Sequence, residues 1–75
     1  MQKLGEKLRT LRKNKGISLR NLASILDVNS YSHLSAIESG KSKPSVELLV
    51  KIADFFEVTT DQLLRDELGI DVDSK

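Results

Sequence analysis

The chain has 75 residues, 31% of them charged and 39% hydrophobic, no cysteine, and a formal net charge of +1. A single domain of this size buries only roughly 60% of its unfolded surface, which disfavours a deep catalytic cleft, and the missing thiols exclude disulfides, thiolate zinc sites and cysteine nucleophiles. No apolar run approaches the roughly 18 residues of a membrane span and the charged amino terminus has no signal-peptide core, so a soluble, cytoplasmic protein is expected.

Met1, Leu4, Leu8 and Leu11 recur at helical spacing with Lys and Arg between them, and Gly16 follows where a left-handed cap would end the pattern. The first helix is therefore expected over about residues 2–15. Ser18 is the N-cap expected for a second helix, about 19–26, whose Leu19, Leu22, Ala23 and Leu26 form one stripe. Asp27-Val28-Asn29 makes a turn in which Asp and Asn tolerate positive φ and Val28 plugs the core beneath. Ser30 then caps a third helix, about 31–38, that buries only Leu34 and Ile37 and leaves Tyr31, Ser32, His33, Ser35 and Ala36 facing outward. Two short helices across a tight turn, the second with so thin an apolar seam, form a helix-turn-helix candidate.

After the polar loop Lys41-Ser42-Lys43-Pro44, Ser45 caps a fourth helix with Leu49, Ile52, Ala53 and Phe56 on one face. Val58 fills the next corner, and Thr59-Thr60-Asp61-Gln62 matches a capping box that opens a fifth helix, about 60–68. Residues 1–68 are read as one all-α, five-helix domain and residues 69–75 as a flexible tail.

The small net charge hides a polarity. Residues 1–43 carry nine Lys or Arg against three acids, and residues 44–75 carry three against eight. One end of the molecule then attracts phosphate while the other repels it. The single histidine, His33, has no neighbouring residues that would make a triad, and no set of metal ligands recurs at useful spacing, so neither an enzyme nor a cofactor is expected.

In their order and spacing, Gly5-Glu6-Lys7-Leu8-Arg9, Leu11-Arg12, Leu22-Ala23, Ile37-Glu38-x-Gly40 and Pro44-Ser45 resemble the lambda-repressor-like helix-turn-helix regulators of the Cro/C1 or Xre type, over about residues 4–65. The resemblance implies a compact five-helix fold and a bacterial or phage transcriptional regulator, a repressor first of all. It would bind double-stranded DNA as a homodimer with the third helix in the major groove of a palindromic operator. It also leaves room for a carboxy-terminal sensor domain. The chain departs from the family at Leu19, where a phosphate-touching glutamine is common, by one extra residue near Asn29, and at Glu57, where a glycine commonly ends the fourth helix.

Carried onto this chain, the resemblance assigns base reading to Tyr31, Ser32, His33, Ser35 and Ala36. Phosphate contacts fall to Ser18, Arg20, Asn29, Ser30, Lys41, Ser42 and Lys43. Arg12 and Glu38 align with an ion pair that ties the first helix to the third. Val50, Phe55, Leu64 and Leu68, with Ile70 as an extension, lie off the core stripes and are the expected homodimer interface. A protein-interaction module built on the same fold is the competing function, and the basic amino-terminal half weighs against it.

Overall fold

In the computed structural model, which describes residues 2–70, four of the five helices start on a hydroxyl that accepts a backbone N–H. Ser18 Oγ accepts from Asn21 N–H at 3.0 Å to open α2 (Leu19–Ile25), and Ser30 Oγ accepts from Ser32 N–H at 3.2 Å to open α3 (Tyr31–Glu38). Ser45 Oγ accepts from Leu48 N–H at 3.1 Å at the head of α4 (Val46–Phe56). At the head of α5 (Thr60–Leu64), Thr59 and Gln62 exchange two 2.9 Å bonds in a full capping box.

The first helix, α1 (Leu4–Asn14), lacks such a cap. The amides of Gln2 and Lys3 instead donate to the Asp66 carboxylate at 3.1 and 3.0 Å, across more than sixty residues of chain. This is why α1 begins at Leu4 and not at residue 2: the two preceding residues turn toward Asp66. Met1, expected on the same stripe, lies outside the described residues.

The core draws on every helix. Leu8 of α1, Leu22 of α2, Leu34 and Ile37 of α3, Ile52 of α4 and Leu63 of α5 are its most deeply buried large side chains. At roughly 1.5–3 kcal/mol each, these six contribute a large share of the drive for a chain this short. Leu48 is buried beside the expected α4 face, while Val28 and Val58 sit half-buried at the two corners they were expected to plug. Left-handed backbone appears where the chain must reverse: at Gly16, Asp27, Gly40 and Glu57, with φ of 70°, 59°, 86° and 58°. Asn29, expected to share that tolerance with Asp27, does not take it.

Further boundaries differ from the helical period, α1 itself ending one residue early at Asn14. The second helix stops one residue early, with Leu26 as its C-cap. The fifth ends at Leu64 and not near residue 68, because Arg65 turns extended (φ −92°, ψ 114°). The cause lies in α1: the Lys7 ammonium donates to the carbonyls of Gln62, Arg65 and Leu68 at 2.6, 2.8 and 2.7 Å. Three carbonyls converging on one cation cannot lie parallel to a helix axis, so the chain unwinds around it. Of the expected tail, Ile70 is half-buried against the core and residues 71–75 lie outside the described residues. Among the described residues no helix is long and apolar enough to cross a membrane.

Candidate nucleic-acid interface

The surface presented by α3 follows from how little of it is spent on packing. Of its eight residues only Leu34 and Ile37 are buried; Tyr31, Ser32, His33 and Ser35 are exposed and Ala36 is half-buried. The exposed residues present a phenol, an imidazole and two hydroxyls, all of which donate and accept hydrogen bonds.

The two ends of the helix-turn-helix carry its cations. At the front, the Arg20 guanidinium stacks over the Tyr31 ring, 4.9 Å from its centroid. This contact brings together a residue assigned to phosphate and one assigned to a base, and it fixes both relative to α2 and α3. At the back, Gly40 takes the left-handed turn, and the amides of Lys41 and Ser42 both donate to the Ala36 carbonyl, at 2.8 and 3.2 Å. These two hydrogen bonds to α3 hold the loop close to the helix, with Lys41 and Lys43 exposed and Ser42 half-buried. Ser18 is exposed beside Arg20 at the front, and Asn29 and Ser30 are exposed between the two ends. Because Ser18 and Ser30 accept as caps, each keeps its hydroxyl proton to donate outward.

Behind the exposed face, Arg12 and Glu38 meet in a two-pronged pair: Nε to Oε2 at 2.7 Å and Nη2 to Oε1 at 3.2 Å, with Nη1 donating to the Ile17 carbonyl at 2.9 Å. Their side chains are only 13% and 8% exposed. The Glu38 hydrogen bond holds the Arg12 guanidinium above its already high pKa. It joins α1, the α1–α2 corner and the end of α3. Gly5 makes the same junction possible from the other end of α1, since a Cβ there would stand 2.6 Å from the Ile37 carbonyl and clash with that of Glu38.

Lys7 was counted in the basic half, yet it is 7% exposed and fully engaged by the three carbonyls near α5. Its charge is therefore withdrawn from the surface. A lone Lys on the apolar side of α1, next to Leu8 and one turn from Leu4 and Leu11, was the available signal. Of the residues assigned to an interface between copies, Val50 and Leu68 are exposed and Phe55 and Leu64 are half-buried. Phe55 already has partial cover: it packs edge-to-face on Phe56 at 4.8 Å and lies under the Lys15 ammonium at 5.3 Å.

A family model described as helix-turn-helix matches residues 8–63. The HTH-type transcriptional regulator DdrOP3 of Deinococcus deserti is 37% identical over 62 residues, which are 83% of this chain and 47% of that protein. The HTH-type transcriptional activator BcrR of Enterococcus faecalis is 45% identical over 62 residues, 83% of this chain and 30% of that protein. The chain thus spans less than half the length of either relative. Among solved structures, the N-terminal DNA-binding domain of SinR from Bacillus subtilis superimposes with a TM-score of 0.79 at 32% identity, over 89% of this chain and 97% of that one.

Proposed function

Because the chain belongs to the lambda-repressor-like helix-turn-helix family, of the Cro/C1 or Xre type, we propose that it binds double-stranded DNA through α3 and regulates transcription. The observation that carries this reading is the exposed face of α3: an eight-residue helix held by two buried side chains, flanked by Arg20 before it and by Lys41 and Lys43 after it. A cylinder of that width fits the major groove, with hydroxyls, imidazole and phenol toward base edges and the flanking cations toward phosphates. No Arg, Asn or Gln stands on the reading face, so the usual bidentate base contacts are missing and part of the selectivity comes from DNA shape. Binding over a promoter represses it.

The proposed functional unit is a homodimer. One short helix makes too few contacts for the selectivity a genome demands, whereas two copies related by a two-fold axis read a near-palindrome in successive major grooves about 34 Å apart. Val50 and Leu68, exposed and apolar, together with the half-buried Phe55 and Leu64, are the proposed shared surface.

Selection of bound duplexes from random DNA, followed by binding titrations from low salt to about 0.5 M, tests the reading. Lys43→Ala weakens binding to every sequence alike and makes the salt dependence shallower by about one unit. Ser32→Ala changes the preference among sequences by roughly 1–3 kcal/mol per affected base pair with little change in salt dependence. Retardation of no duplex at low salt overturns DNA binding. A parent that sediments as a strict monomer and binds a palindrome without cooperativity overturns the dimer.

A further inference from the structure

Beside the reading face lies a groove of about 250 Å³ that none of the residues assigned to phosphate lines. It is lined by Arg9 and Arg12 of α1, Leu19 of α2, Ser35 and Glu38 of α3, and Ser39. Its contents are unequally spent. Arg12 and Glu38 neutralise one another, Leu19 offers no polar atom, and the Ser39 hydroxyl already donates to the Ala36 carbonyl at 3.0 Å. Arg9 is exposed, and among the described residues its guanidinium makes no ion pair or hydrogen bond. The groove therefore holds one unspent cation and, across it, the Ser35 hydroxyl of the recognition helix.

We propose that Arg9 is a further DNA contact, clasping a backbone phosphate on the α1 side of α3 with Ser35 as the second donor. The inference rests on the DNA reading above. A helix seated in the major groove has a sugar–phosphate strand along each shoulder. Lys41 and Lys43 follow the end of α3 toward one strand; the groove, walled by α1, α3 and the start of α2, is proposed to face the other. A phosphate there meets a planar donor fork suited to two of its oxygens. The low-dielectric wall of Leu19 strengthens the attraction from beneath. Without Arg9 the groove itself would offer the duplex only hydroxyls.

The test compares the salt dependence of binding to one non-cognate duplex for the parent, Arg9→Gln, Arg9→Lys and Lys13→Ala. Lys13 carries the same charge one turn further along α1 and does not line the groove. Arg9→Gln is expected to fold with the parent's melting temperature and to show a log–log slope shallower by about 0.9, the value of one phosphate. Arg9→Lys keeps the parent slope, and Lys13→Ala stays within a fraction of it. An Arg9→Gln slope equal to the parent's overturns the contact while leaving the DNA reading intact. Equal losses for Arg9→Gln and Lys13→Ala overturn it too, since they mark diffuse charge. A parent that binds no duplex overturns both.

Discussion

Arg12 donates three hydrogen bonds, two to Glu38 and one to the Ile17 carbonyl, in a place where neither charge has ready access to water. Removing either partner leaves the other charge desolvated and alone, so Arg12→Ala and Glu38→Ala are each expected to cost roughly 2–4 kcal/mol of stability by denaturant titration. Unchanged unfolding midpoints for both would show the pair to be dispensable. The Arg20–Tyr31 stack has a different consequence, because it couples two roles that a residue-by-residue reading separates. Tyr31→Ala frees the Arg20 guanidinium as well as removing a phenol. In a double-mutant cycle on duplex affinity, Arg20→Ala and Tyr31→Ala are expected to be non-additive by about 0.5–1 kcal/mol; strict additivity would mean the stack does not persist on DNA.

At the level of whole helices, α1 is the brace on which α3 is hung, and the closeness of the two depends on a residue with no side chain. Alanine at position 5 would ordinarily strengthen a helix by about 1 kcal/mol. Here its Cβ would meet the backbone carbonyls of Ile37 and Glu38, which cannot swing aside as a side chain would. Gly5→Ala is therefore expected to destabilise by about 1–3 kcal/mol and to weaken DNA binding beyond the loss of folded protein, because α3 is pushed from its seat. A stabilised Gly5→Ala variant would contradict the packing described. The helices themselves were largely legible in the sequence, and for local reasons: the hydroxyls at 18, 30, 45 and 59 and the leucine stripes act within one or two turns. The exposure of Tyr31, Ser32, His33 and Ser35 could be read from the same spacing. What could not be read are arrangements set by distant chain. The early end of α5 and the three carbonyls that hold Lys7 are brought together by groups 55 to 61 residues apart; the spacing of Lys7 hints at its burial but not at these partners. The stack of Arg20 on Tyr31 likewise depends on the angle between α2 and α3.

On the scale of the molecule, the segment after α5 is fastened to α1 twice, by Lys7 and by Asp66. The Asp66 carboxylate sits below its ordinary pKa of 3.8, chiefly through the hydrogen bond it accepts from the Lys3 amide. A carboxylate so lowered stabilises the fold above pH 3.8 and ceases to do so as the pH falls through its depressed value. The melting temperature of the parent is expected to exceed that of Asp66→Asn at pH 6, with the gap closing below about pH 3.8; a gap that persists to pH 2 would mean that the carboxylate's charge is not what matters.

The same fastening brings residues 2 and 3 within hydrogen-bond reach of residue 66. Topologically the domain is thus almost a ring, open at a single gap. A few glycines joining its two ends would span that gap without disturbing α1, and the chain could be cut afresh in the exposed loop around Lys41 and Lys43. Such a permuted protein would run α4, α5, α1, α2, α3, with α3 the last helix of the chain. Its closure would no longer require two distant ends to find each other, because the linker would have joined them beforehand.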